Sequence, residues 1–196
     1  MIRAHLAAHV VVEGEQWPVF IWTIDHPGGR VLVDTGMIDS SPEVDDFNPI
    51  PHPENIPRDV AFVINTHLHF DHCGGNRLFP GVPIHVQARE LADARSLEEY
   101  TIREWVDFDG ATYVEHEGEA EVLPGIRLLP TPGHTAGHQV VVVETGDGPN
   151  VIGGDVGYSF RELGSGATEG QRRVLELGAL TWLAHETDPK IPEYRP

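Results

Sequence analysis

Short apolar runs, each closed by Gly, Pro, Asn or Asp, recur along this chain and constrain its fold more than any other feature. They lie at Val19–Ile24, Arg30–Asp34, Val60–Asn65, Pro83–Val86, Ile126–Leu129, Gln139–Glu144 and Asn150–Ile152. Runs of this length between turn residues are predicted as buried strands, because a helix needs a longer periodic stretch. His26-Pro27-Gly28-Gly29 marks a hairpin turn between the first two. Helical spacing is confined to Ala88–Ala94, Leu97–Val106 and Glu169–Leu177, the last following the link Gly164-Ser165-Gly166. Strands and helices interleave, so the expected class is α/β or mixed α+β, with helices covering sheets. At 196 residues, one domain spanning 1–196 is expected. Ile38–Pro57 has five prolines, many acids and no period, which predicts a surface loop or flap beside a site.

Charge removes several function classes. Against 31 Asp+Glu stand 13 Lys+Arg, giving a formal net charge of −18. A phosphate-tracking nucleic-acid surface is excluded on that balance, and so is attraction to an anionic membrane. The lone cysteine, Cys73, excludes an internal disulfide and a cysteine-based zinc cage. The first twelve residues are apolar but interrupted by His5 and His9, unlike a signal peptide. No run approaches the roughly 20 apolar residues of a membrane span. A soluble, cytoplasmic protein is the expectation.

Histidine is the unusual component, at 12 residues. Thr66-His67-Leu68-His69-Phe70-Asp71-His72 sets His, His, Asp and His on the loop leaving the strand Val60–Asn65, with Gly74-Gly75 directly after. Imidazole nitrogens and a carboxylate at this spacing suit zinc, and also iron, manganese or cobalt. Three more ligand types stand after apolar runs. His134 lies in Thr131-Pro132-Gly133-His134-Thr135, Asp155 in Gly153-Gly154-Asp155, and His185 after Leu180–Ala184. Any one of them alone reads as an ordinary loop residue; four clusters with one repeated grammar point to a metal site.

These segments, HLHFDH, TPGHTAGH, GGD and the late AH, resemble in order the metal motifs of the metallo-β-lactamase superfamily. Within it, HLHFDHCGGN, PIHVQARE, EVLPGIRLLPTPGHTAGHQ and a tyrosine three residues after Asp155, Tyr158, are most similar to the N-acyl-homoserine lactonases, the quorum-quenching enzymes. The resemblance implies a four-layer αββα sandwich and a dinuclear metal-dependent hydrolase. His67, His69 and His134 would hold one cation, Asp71, His72 and His185 the other, and Asp155 would bridge them. The expected cofactor is two divalent ions, zinc foremost, with Fe, Mn or Co as alternatives. The implied reaction is attack of a metal-bridging hydroxide on a lactone carbonyl. Tyr158 would hydrogen-bond the carbonyl, and Asp71 would pass a proton to the leaving alkoxide. The partner would be a small neutral lactone or ester, and the protein a monomer or homodimer.

The same pattern leaves other readings open. They are a thioester hydrolase of the glyoxalase II type, a β-lactamase proper, a mononuclear iron dioxygenase on the same fold, and a non-catalytic binding protein. The alternative reading of Tyr158 is a half-buried packing residue. Asp34 resembles an aspartate that orients a ligand histidine, or caps a turn. His138 is expected behind the site, Cys73 as a small buried thiol, and Phe70 as pocket wall or core. Glu186 follows His185 where lactonases more often carry aspartate, and the stretch from Asp155 to His185 leaves room for about one helix.

Overall fold

Alternation along the strands decides the layering. In β2 (Glu15–Ile24), Ile21 packs with Ala7, Leu32, Val63 and Ile84, whereas Trp22 and Ile24 pack with Val31, Val33 and Ile64. The same split divides β10 (Gln139–Thr145): Val141 and Val143 join the Trp22 cluster, while Val140 and Val142 turn to the helices. Continuous apolar runs are what strands buried on both faces require.

The computed structural model describes residues 1–194. A seven-stranded sheet has the order β4 (Ile50–Pro51), β1 (Ile2–Val12), β2, β3 (Val31–Val33), β5 (Phe62–Ile64), β6 (Pro83–Gln87), β7 (Thr112–His116). The five-stranded sheet is ordered β12 (Leu180–Trp182), β11 (Gly148–Ile152), β10, β9 (Ile126–Pro130), β8 (Ala120–Leu123). They meet through Trp22, Ile24, Val33 and Ile64 on one side and Ile126, Leu128, Val141 and Ile152 on the other. α4 (Phe160–Ser165) and α5 (Glu169–Leu177) cover the second sheet through Leu163 and Val174. α1 (Phe70–Cys73), α2 (Ala88–Ser96) and α3 (Arg103–Val106) lie against the first through Cys73, Leu91 and Val106. This is the expected αββα layering.

Several elements depart from the sequence reading. β1 pairs with β2 over most of its length around a two-residue turn, Glu13-Gly14, with φ of +51° and +83°. Its strand identity comes from that pairing, because His5 and His9 interrupt the apolar pattern. The Leu97–Val106 helix is reduced to α3, since Glu99 sits at φ +56°, incompatible with a continuing helix. Ile38–Pro57 is built rather than featureless: two 3-10 turns flank β4, and Val44 is buried against β1 residues Ala8 and Val10. Two helices and a strand, not one helix, occupy the chain between Asp155 and His185. α5 starts at a reciprocal cap in which Thr168 and Gln171 each bond the other's backbone N–H.

Candidate metal centre

Five chain segments converge at one edge of the sandwich. The loop after β5 carries His67 and His69 and runs into α1, which carries Asp71 and His72, the β9–β10 loop carries His134, and the exits of β11 and β12 carry Asp155 and His185. Asp34 closes β3 at the same edge. The sheets are stitched together there: Gln139 N–H donates to Thr66 O (2.9 Å) and Phe20 N–H to Ala184 O (2.9 Å). Gly154 is at φ +51°, and a Cβ on it would meet Thr66 Oγ1 at 2.5 Å. Only glycine lets the chain turn this closely and present Asp155.

The ligand-type atoms fall into overlapping groups. His134 Nε2 lies 3.2 Å from His67 Nε2 and 2.9 Å from His69 Nδ1, and those two are 3.1 Å apart. Asp71, His72 and His185 form a second group, with each ligand atom within 4.8 Å of the others. Asp155 stands between them. Its Oδ1 is 3.3 Å from His72 Nε2, and its Oδ2 is 3.4 Å from His185 Nε2 and 3.6 Å from His134 Nε2. All seven residues singled out as ligands are thus brought together.

Hydrogen bonds behind these groups set which nitrogen faces inward. His72 Nδ1–H donates to Asp34 Oδ2 (2.8 Å) and His185 Nδ1–H to Pro18 O (2.7 Å). Thr66 Oγ1 donates to Asp34 Oδ2 (2.7 Å), so it accepts from His67 Nδ1–H at 3.1 Å. In all three Nδ1 is the hydrogen-bonded nitrogen and Nε2 is left facing the site, which is the orientation a ligand needs. His138 bonds Thr131 Oγ1 through Nδ1 (2.8 Å) and packs behind His67.

The electrostatics divide the histidines. Burial holds the pKa of His67, His69 and His134 below the ordinary value, keeping these rings neutral. Burial acts the same way on His72 and His185, but the Asp155 and Asp71 carboxylates outweigh it and raise both. Asp155 is driven well below the carboxylate range: burial opposes its charge, and His185 and His72 overcome the opposition. His72 Nε2 and Asp155 Oδ1 are nevertheless buried with no hydrogen-bond partner, although they face each other. Two orphaned donor-set atoms aimed at one point, ringed by neutral imidazoles, fit a divalent cation and fit little else.

The centre floors a cavity of about 710 Å³. His69, Asp71, His134, Asp155, Tyr158 and His185 line its base. Val10, Val12, Trp17, Val44, Phe47 and Phe70 form an apolar wall, and among the described residues neither Lys nor Arg lines it. Glu43 and Glu99 are its acidic members beyond the centre. Tyr158 is 40% exposed, and its hydroxyl lies 3.2 Å from His134 Nδ1. Burial and the Asp155 and Asp71 charges raise its pKa, so the phenol keeps its proton. Cys73 is a buried thiol pushed up to about 12 by desolvation, hence inert. Sequence reasoning missed Trp17, Glu43, Phe47 and Tyr100 because they come from segments without a motif. Glu90 was within reach, as the last residue of PIHVQARE.

Fold and site together define an αββα protein carrying a shared-aspartate His/Asp constellation of metal-ligand type at the sandwich edge. The chain belongs to the metallo-beta-lactamase superfamily, whose family model matches residues 14–175. It is 35% identical over 164 residues to an N-acyl homoserine lactonase of a Bacillus species, across 72% of this chain. It spans 65% of that relative's length. The solved structure of a quorum-quenching N-acyl homoserine lactone hydrolase superposes with a TM-score of 0.78 at 26% identity, covering 94% of this chain and 91% of the other. Another, of an N-acyl homoserine lactone hydrolase with N-hexanoyl-L-homoserine at its catalytic metal centre, gives 0.72 at 26% identity over the same shares.

Proposed function

We propose that this chain is a dinuclear metal-dependent hydrolase that opens the lactone ring of N-acyl homoserine lactones. The observation that carries the reading is the position of Asp155: one carboxylate reaches both histidine groups at the floor of an apolar-walled cavity that, among the described residues, no Lys or Arg lines. The likeness to N-acyl homoserine lactonases supports the substrate class. His67, His69 and His134 would hold one ion, Asp71, His72 and His185 the other, with Asp155 shared. Zinc is the first choice for this N/O donor set. Two such ions supply a water nucleophile activated near neutral pH and a Lewis acid for the carbonyl.

The protein's own groups do the rest. His134 Nδ1–H donates to the Tyr158 oxygen, which leaves the phenolic proton free to point into the cavity and bond the substrate carbonyl oxygen. Asp71, in the cavity floor, takes the proton that the attacking water gives up and passes it to the alkoxide that leaves when the ring opens. Trp17, Val44, Phe47 and Phe70 receive the acyl chain and exclude water. A glutathione thioester would bring carboxylates to a wall holding Glu43, Glu99 and, among the described residues, no Lys or Arg, so the thioester reading has no support here. A mononuclear iron dioxygenase would leave the Asp71, His72 and His185 group without a task.

The test is a pH-indicator assay of the zinc-loaded protein on homoserine lactones of several acyl lengths, beside a thioester and a β-lactam. Turnover of lactones is expected. Silence on every lactone with turnover of the thioester would overturn the reading.

A further inference from the structure

We infer that Glu90 is a positioning residue whose single carboxylate fixes the spacing of the two loops that form the three-histidine group. This rests on the proposed metal centre. Glu90 lies in the first turn of α2 and is fully buried. Its Oε1 accepts from Leu68 N–H (2.8 Å) and from the Tyr100 hydroxyl (2.5 Å), and its Oε2 accepts from Thr135 Oγ1 (2.6 Å). Leu68 is the residue between His67 and His69, and Thr135 is the residue after His134. One rigid group therefore bonds the backbone of one ligand loop and a side chain adjoining the ligand of the other.

The surroundings are built to make that bond stiff. The Leu68 carbonyl accepts from the Cys73 thiol (3.3 Å), so this peptide is held from both ends, and its side chain packs with Leu91 of α2. The His134 loop presses directly onto the same helix, where a Cβ on Gly137 would meet the Glu90 backbone nitrogen at 2.3 Å. The geometry is selective. The other group is braced elsewhere, His72 by Asp34 and His185 by Pro18 O, with no bond to Glu90. Tyr100 extends the arrangement into the cavity, with its ring 5.1 Å from that of His69. Glu90 thereby joins a pocket wall to one half of the centre only.

The selectivity separates positioning from ordinary structural support. The metal-free full-length chain is titrated with Co²⁺ against a competing chelator, reading the absorption of each site, with His134→Ala used to assign the three-histidine signal. Glu90→Ala, Glu90→Gln and Tyr100→Phe are compared with wild type, and circular dichroism reports folding. Glu90→Ala is expected to weaken Co²⁺ at the three-histidine group by about 10–100-fold while leaving the other site within a few-fold. Glu90→Gln keeps the acceptor for Leu68 and Tyr100, so a smaller, equally one-sided loss is expected. Tyr100→Phe removes one donor and should leave affinity close to wild type. Should Glu90→Ala fail to fold, the one-sided loss in Glu90→Gln decides. Equal weakening at both sites, or none at either, overturns the role of Glu90 alone. A wild-type chain that takes up no Co²⁺ overturns the metal-centre reading, and this inference with it.

Discussion

Asp34 Oδ2 accepts a hydrogen bond from His72 Nδ1 across 2.8 Å, and neither side chain has any exposed surface. The same carboxylate accepts from Thr66 N–H and Thr66 Oγ1, each at 2.7 Å, so three buried donors converge on one residue. Asp34 also sits at φ +57°, a conformation that Asp and Asn tolerate better than other side chains.

Asp34→Ala would strand those donors and leave the residue strained. A loss of about 3–5 kcal/mol in unfolding free energy is expected, the range for breaking one partner from a buried charged pair. Asp34→Asn keeps the backbone conformation and one acceptor oxygen, so its loss should be smaller. Urea unfolding of the two variants measures both, and equal losses would show that backbone strain rather than the carboxylate dominates.

Tyr158→Phe deletes the hydroxyl near His134 and little else, because the ring is 40% exposed. On a short-chain lactone, kcat should fall about 10²-fold, the lower end for removing one oxyanion donor, with KM and Tm little changed. An unchanged kcat/KM would return Tyr158 to a packing role against Trp17.

His185→Ala removes one ligand-type nitrogen while its backbone neighbour Ala184 keeps its bonds to Phe20 and Gly154. Metal analysis of the purified variant is expected to give one ion per chain in place of two. Retention of two would mean that another group serves where His185 stands.

His85 and His116 stack at 5.1 Å with Nδ1 and Nε2 2.9 Å apart, and burial together with His116 lowers the His85 pKa to about 4. Above pH 6.5 the ring is neutral in both states. As pH falls towards 4, the unfolded chain takes up a proton that the folded one refuses, so stability is present above 6.5 and is lost through this window. Below 4 the slope from this group ends. Replacing His85 with Gln should flatten the decline between pH 7 and 4.5 in urea unfolding; parallel profiles would contradict it.

What the sequence disclosed follows from where each signal resides. His67, His69, His72, His134 and Asp155 were legible because metal chemistry demands particular residue types at strand exits, and both can be read from a single chain. The central strands were legible because burial on two faces forces unbroken apolar runs, as in Val140 to Val143. The cavity wall was not. Trp17 reaches it from a strand whose start was read four residues late, and Phe47 arrives on a proline-rich segment without period. Tyr100 is pulled out of an apparent helix by its bond to Glu90 and the positive φ of Glu99, a tertiary effect with no local trace. His185 was named from its place after Leu180–Ala184, but the orientation of its ring was not legible, because it depends on Pro18 O, a backbone acceptor that no residue type announces.

The two glutamates that line the cavity bear on how the proposed reaction would end. A lactone enters uncharged and is indifferent to Glu43 and Glu99. Ring opening would convert it, in place, into a carboxylate within a lining that holds Glu43 and Glu99 and, among the described residues, no Lys or Arg. The proposed chemistry would thus create a charge on the guest that these two side chains oppose, against the hold of the metal centre. Turnover on such a surface would hold up as product accumulates, with salt blunting the effect by screening the repulsion.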